Sequence, residues 1–343
     1  MISDNSSVDS AEADQKFQKT VAEFKNGRFI NPYHDGNLHF LDLVKWNINR
    51  TPVAPLTPYE CENIHPVLNV DFDLIGQPVE DNTIRMTWIG HSTFFVQFAG
   101  VNFLTDPVWC ERSSPLSFAG PKRVRPTPCK ISDLPPIDFV ILSHNHYDHL
   151  DIDAAKEIGN KAQWFVPKGM KEWFASIGVT NCEELAWWEE IDFNSRLQLV
   201  SVPCNHHSQR HLFDRNKSLW CSWIVVDRQT QKKYYHSGDT AYCSAFKEVG
   251  HFMGPIDLSC IAIGAYEPRF FISNFHINPE EAVMLHQEIR SKKSVGMHWG
   301  TFILTDEPIL EPPEEMKKHA KQAGLAEDEF TVMKIGETKL YQL

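Results

Sequence analysis

A chain of 343 residues with 42% hydrophobic and 12% aromatic content can bury a large core, which excludes global disorder. Its 33 basic residues against 45 acidic ones give a formal charge of −12. That is a poor match for nucleic acid, whose binding rests on phosphate neutralisation. No run approaches the roughly 18–20 apolar residues of a membrane span, and the polar, acidic N-terminus lacks the basic-then-apolar order of a signal peptide. Eight scattered cysteines without a CxxC pair fit a reducing compartment.

The first 16 residues are mostly Ser, Asp, Glu and Ala. A flexible acidic tail is expected over 1–26 and one folded domain over 27–343. Between Phe29 and Pro58, Leu38, Leu41, Val44 and Trp46 fall at helical spacing, and their apolar face suits a core edge or a membrane surface. Residues 83–89 alternate as a strand that ends at Gly90-His91-Ser92, where His91 is read as a turn residue. Residues 93–98, a turn at Ala99-Gly100, and residues 101–105 leading into Asp106-Pro107 continue as strand, turn, strand. A basic, Pro-rich loop over 120–128 precedes the buried strand 138–142. Further strands are expected at 163–166, 197–202, 221–227, 232–236, 258–263 and 294–297. Helices are expected at 151–159, 168–176, 243–250, 279–290 and 312–323. Strands alternating with helices, plus hairpins, make this an α/β protein with mixed sheets.

The run His144-Asn145-His146-Tyr147-Asp148-His149 follows a short apolar strand. Where the chain is still extended, residues two apart point the same way, so His144 and His146 can share a metal. The chain then turns into a helix, which brings Asp148 and His149 beside a second metal. Imidazole and carboxylate ligands suit zinc. Four ligands cannot saturate two metals, so further partners are required, and three strand ends supply them. These are Cys204-Asn205-His206-His207, His236-Ser237-Gly238-Asp239 and His298-Trp299-Gly300.

Together, Leu104-Thr105-Asp106-Pro107, the HxHxDH run, His206, Asp239 and His298 resemble the metallo-β-lactamase superfamily. The resemblance implies an αβ/βα sandwich, two mixed β-sheets flanked by helices. It places His144, His146 and His206 on a first Zn2+ and Asp148, His149 and His298 on a second, with Asp239 bridging. Asp106 would be a buttress behind the ligands. Gly120-Pro121-Lys122-Arg123, Gly264-Ala265-Tyr266-Glu267-Pro268-Arg269 and His298-Trp299-Gly300-Thr301-Phe302 look like the N-acylphosphatidylethanolamine-hydrolysing phospholipase D family. That likeness runs from about residue 27 to the C-terminus.

What the likeness implies is hydrolysis of a membrane phosphodiester to N-acylethanolamine and phosphatidic acid, with two zincs acidifying a water and clamping phosphate oxygens. Asp148 and Asp239 would serve the reaction through the metals. His276 precedes Asn278-Pro279-Glu280-Glu281, a helix start with an N-cap, a first-position proline and acids in the first turn. It is a candidate leaving-group acid or substrate clamp. Tyr147 can reach phosphate or pack, Trp46, Phe40 and Leu41 can meet lipid, and Lys122, Arg123 and Arg125 form a basic cluster that can do so too. His207, His211 and His236 are read as packing or solvent-facing.

Peripheral association with the cytosolic face of intracellular membranes, a cytoplasmic location and a homodimer are the accompanying expectations. The same metals would serve another ester, lactone or phosphodiester. A ribonuclease Z type enzyme is opposed by the acidic charge, and a metal-free scaffold by the complete ligand set.

Overall fold

The computed structural model describes residues 17–34, 40–50, 52–116 and 118–343. The first of these segments carries a hairpin, β1 (Glu23–Lys25) against β2 (Arg28–Ile30). Its two-residue turn, Asn26-Gly27, has φ of 53° and 77°, the left-handed pair that a tight hairpin needs. The backbone N–H and hydroxyl of Thr20 donate to the Glu248 carboxylate at 2.8 and 2.7 Å, and Phe29 is buried. Thr20, within the tail expected over 1–26, is thus tied to the domain by a partner 228 positions away in sequence. Residues 1–16 lie outside the described residues.

Helix α1 (Phe40–Asn49) follows. Leu38 lies outside the described residues, as do the side chains of Phe40, Leu41 and Val44. Trp46 is half-buried. Its indole N–H donates to Asp306 at 2.7 Å, and its ring lies 5.3 Å from that of Phe271.

Two seven-stranded mixed sheets form the body. The first contains β3 (Thr83–Gly90), β4 (Thr93–Phe98), β5 (Val101–Thr105), β6 (Phe139–Ile141), β7 (Gln163–Pro167) and β8 (Cys182–Leu185). The second contains β9 (Glu190–Asp192), β10 (Leu197–Val202), β11 (Ser222–Asp227), β12 (Lys233–His236), β13 (Ile256–Ala262), β14 (Ser291–Met297) and β15 (Phe330–Val332). The last strand, β16 (Thr338–Gln342), returns to the first sheet beside β3. Each sheet is antiparallel on one side and parallel on the other: β5 to β8 run parallel in the first, and β12 to β15 in the second.

Side-chain alternation assigns the faces. Ile84, Met86, Trp88, Phe94, Val96 and Phe98 point between the sheets, where they meet Leu199, Trp223, Val225 and Leu258. Phe103 stacks on Phe139 at 4.6 Å and meets Tyr234 of the opposite sheet edge-on at 5.5 Å. Each of these fully buried large side chains contributes roughly 1.5–3 kcal/mol relative to exposure. The opposite face of the first sheet, with Phe95, Leu104, Val140 and Trp164, is covered by Ala154, Ala155 and Ile158 of α2 (Ile152–Ile158) and Phe174 of α3 (Lys171–Ser176). The second sheet is covered by α4 (Ala245–Phe252), α6 (Pro279–Glu288) and α7 (Glu311–Gln322). Between α4 and α6, the short α5 (Arg269–Ile272) packs against α1 through Phe271. The expected sandwich of two mixed sheets flanked by helices is thus the observed one. The carboxyl ends of β5, β6, β12, β13 and β14 face one edge of it, the end at which open α/β sheets bind ligands.

Candidate metal centre and active site

β6 ends at Ile141, and Leu142 and Ser143 lead directly into the ligand run. His144 Nε2 and His146 Nδ1 approach to 2.8 Å, and His206 Nε2 comes within 3.3 Å of the latter. Asp239 Oδ2 lies 3.8 Å from His144 and 3.9 Å from His206. Four ligands of a tetrahedral zinc with ~2.0–2.1 Å bonds stand roughly 3.3 Å apart, so this quartet matches one metal site. The second group is Asp148, His149 and His298. Asp148 Oδ2 lies 3.8 Å from His149 Nε2 and 3.4 Å from His298 Nε2. Asp239 reaches this group as well, with Oδ2 3.1 Å from His149 and Oδ1 3.1 Å from His298. One carboxylate therefore stands within 3.9 Å of ligands in both trios.

The rear nitrogens of three rings are held by the protein, which aims their other nitrogens inward. His149 Nδ1 donates to Asp106 at 2.7 Å, His206 Nδ1 donates to the Phe275 carbonyl at 2.9 Å, and His144 Nδ1 meets Ser143 Oγ at 2.9 Å. The inward atoms His149 Nε2, His298 Nε2 and Asp239 Oδ1 are buried, and their 3.1 Å approaches to one another and to Asp239 Oδ2 lack hydrogen-bond geometry. Buried polar atoms seldom go unpaired, so this donor set fits cations. Electrostatics agree. Burial opposes the charges of Asp148 and Asp239, yet the histidines around them hold both carboxyls well below the usual range. Burial pulls His144 and His206 well below the ordinary histidine value, leaving neutral ligands. Burial acts the same way on His149 and His298 but is overcome by Asp239 and Asp148, which raise His298 to about 9. A metal held by these residues would displace a proton.

Asp106, expected as a buttress, lies behind His149. Fully buried, it accepts from Ser143 N, Ser143 Oγ, His149 Nδ1 and His236 Nε2 at 2.7, 2.7, 2.7 and 2.9 Å. His236 thus belongs to the support of the centre rather than to packing alone. His91 is corrected more sharply. Set at φ 55° where β3 ends, it places Nε2 3.1 Å from Asp148 Oδ2 and its ring 3.9 Å from that of His298. Its position at a strand end on the ligand edge was the available signal. His207 is half-buried with its ring 4.7 Å from that of His146, whereas His211 is exposed. Gly264, after β13, lets the last ligand turn approach, since a Cβ there would sit 2.2 Å from the His298 carbonyl oxygen.

Arg210 escaped sequence reasoning. One of its terminal nitrogens donates to both Asn145 O (3.0 Å) and Leu150 O (2.8 Å), bracketing the ligand turn. Its guanidinium lies 4.1 Å over Tyr147, whose hydroxyl donates back to the Arg210 carbonyl at 3.1 Å. Tyr147 is thereby engaged by the protein. His276 sits at the mouth, with Nδ1 3.9 Å from Asp239 Oδ2 and the ring 5.4 Å from His298. The helix start behind it forms as expected, with Asn278 and Glu281 in a reciprocal capping box. Two members of the basic cluster are engaged by backbone carbonyls. Arg123 is half-buried, donating to the carbonyls of Cys110 and Val108. Lys122 pairs with Glu111 at 2.8 Å, and Arg125 donates to Cys61 O at 3.0 Å.

The family described as "Beta-lactamase superfamily domain" matches residues 101–299. The chain is 43% identical to N-acyl-phosphatidylethanolamine-hydrolyzing phospholipase D 1 of Caenorhabditis elegans, over 94% of its own length and 95% of that protein. It is 32% identical to the mitochondrial N-acyl-phosphatidylethanolamine-hydrolyzing phospholipase D of Saccharomyces cerevisiae, over 86% of this chain and 65% of that one. Among solved structures, an isothiocyanate hydrolase from Delia radicum gut bacteria shares the fold with a TM-score of 0.62 at 20% identity, covering 76% of this chain and 100% of that one. The ligand geometry and these relatives agree: the chain belongs to the N-acylphosphatidylethanolamine-hydrolysing phospholipase D family of the metallo-β-lactamase superfamily.

Proposed function

We propose that the chain hydrolyses N-acylphosphatidylethanolamine to N-acylethanolamine and phosphatidic acid at a centre holding two Zn2+. The observation that carries this reading is the seven-ligand set joined by Asp239, in a chain 43% identical along nearly its whole length to a protein named for that reaction. His144, His146 and His206 would hold one ion and Asp148, His149 and His298 the other, with Asp239 between them. Bound zinc supplies a Lewis acid for phosphate oxygens and lowers the pKa of water to near neutrality.

The protein's own part is orientation. Asp106, Ser143 and the Phe275 carbonyl fix three rings, and Arg210 fixes the turn between the ligands. In the reaction, water oxygen bonds to phosphorus, the bond from phosphorus to the ethanolamine oxygen breaks, and that oxygen takes up a proton. Burial pulls His276 down to about 4, so near neutrality its imidazole is uncharged. It acts as a clamp that donates N–H to a substrate oxygen rather than as an imidazolium acid. No helix among the described residues is long and apolar enough to cross a membrane, so peripheral contact with the lipid surface is part of the proposal. All eight cysteines are free, which supports the cytosolic face.

The test is incubation of the purified protein with N-acylphosphatidylethanolamine, followed by mass spectrometry of the products and metal analysis. Free N-acylethanolamine with phosphatidic acid and close to two zincs per chain are expected. Release of fatty acid, or a metal-free active protein, would overturn the reading.

A further inference from the structure

We propose that the segment 206–218 is a membrane-docking finger whose tip, Leu212-Phe213, enters the acyl layer of a phospholipid bilayer beside the mouth of the metal centre. The proposal rests on the lipid-hydrolase reading above and names the surface through which the lipid is met. Leu212 and Phe213 are 85% and 81% exposed, more than any other large hydrophobic side chain among the described residues. Transfer of such a side chain out of water is favourable by roughly tenfold or more in partition.

The finger is braced rather than loose. Arg28 donates to the carbonyls of Phe213 and Arg215. The Asp214 carboxylate accepts from the backbone N–H groups of Arg210 and His211 at 3.1 and 2.8 Å. Phe29 N donates to Asn216 O, and Asn216 N to Ser208 O, at 2.7 and 2.8 Å. A chain so tied, yet holding two adjacent apolar side chains in water, is built to present them.

Its placement names the partner. On one flank Arg210 brackets the ligand turn through Asn145 and Leu150. On the other, Arg215 lies 5.9 Å from the ring of Phe275, the residue whose carbonyl orients His206. The apolar tip therefore projects from the rim of the catalytic mouth. Arg28, Arg215 and the exposed Lys217 form a cationic collar at its base in a protein of net charge −12. Leu116 and Phe118, 48% and 78% exposed, lie on a neighbouring loop whose Ser114 and Pro115 share a cavity wall with His211. Apolar tips above a basic collar match acyl chains beneath a layer of lipid phosphates. The lipid contact expected of Trp46 and the Lys122–Arg125 cluster is thus reassigned to this finger.

The test is flotation of the full-length, zinc-loaded protein with vesicles of phosphatidylcholine and phosphatidylserine that contain no N-acylphosphatidylethanolamine. Binding is then read apart from catalysis. Leu212→Ser/Phe213→Ser should lower vesicle affinity by about a hundredfold, as two side chains at roughly tenfold each imply. Leu340→Ser, at an exposed apolar site on β16, should bind as the parent does. Zinc content and melting temperature check that each variant is folded, and a Leu212→Trp/Phe213→Trp variant should bind more tightly. Unchanged binding by the serine pair overturns the proposal, and so does an equal loss in Leu340→Ser. A lipid-free dimer of the parent that the serine pair dissolves would make the finger a self-association face instead, and would also overturn it. Failure to hydrolyse the lipid with finger-dependent vesicle binding intact would count against the substrate reading alone.

Discussion

Replacing Asp106 with Asn removes one charge and changes one atom, yet its consequence should be read at a metal. In the native protein Asp106 Oδ1 accepts from Ser143 N, while Oδ2 accepts from Ser143 Oγ, His149 Nδ1 and His236 Nε2 at 2.7, 2.7 and 2.9 Å. An amide that keeps its oxygen toward Ser143 N must turn an NH2 group toward three donors. The serine hydroxyl can rotate to accept, but a histidine N–H cannot. His149 then escapes the donor–donor contact by moving its proton to Nε2, which removes the lone pair aimed at the second metal. Support lost behind a ligand costs about 10–100-fold in metal affinity, or about 1.4–2.8 kcal/mol. The loss should fall on the Asp148–His149–His298 site and spare the other, since His144 is backed by Ser143 rather than by Asp106 directly. The assay is chelator competition with metal counting, and Asp106→Asn should pass through a one-zinc species at chelator levels that leave the parent with two. Equal retention of both metals would refute the reasoning.

Other changes probe other parts. Arg210→Met keeps the stem but leaves Asn145 O and Leu150 O without their donor, at about 1–3 kcal/mol. Faster metal loss and a lower melting temperature are expected, and no change in either would dismiss the bracket. His276→Ala should lower kcat by about 10²–10³, the scale of one lost hydrogen-bond donor, while zinc stoichiometry stays at the parent value; full turnover would remove His276 from the reaction. Burial pushes His286 down to about 4, so as pH falls from 6.5 the unfolded chain takes up a proton that the folded one refuses. That stability is complete above pH 6.5 and is lost toward pH 4, up to about 3 kcal/mol in total. His286→Gln, which can still pair with Ser294, should flatten the melting-temperature profile across that window.

The sequence showed the ligands because metal chemistry restricts residue type and because each ligand follows an apolar strand, a pattern visible without coordinates. The long strands of the sandwich were legible for the same reason, through their alternation. What stayed hidden depends on contacts far apart in the chain. β16 is largely polar and becomes a strand only because β3 offers it a paired edge. His91 reaches Asp148 across 57 positions, and Thr20 reaches Glu248 across 228. Arg123 looked like a surface charge beside Lys122, and nothing local announces that its guanidinium is enclosed by the carbonyls of Val108 and Cys110.

The division of the ligands between the sheets has a mechanical meaning. His144, His146, Asp148 and His149 hang from β6 of the first sheet, whereas His206, Asp239 and His298 follow β10, β12 and β14 of the second. Neither sheet can complete either site alone. Cation binding therefore acts as a clasp across the open edge of the sandwich, and its free energy is spent on the seam between halves. At a free metal concentration a thousand times the dissociation constant, that clasp adds about 4 kcal/mol to the work of unfolding. Hydrogen exchange during chelation should accordingly spread from this edge inward.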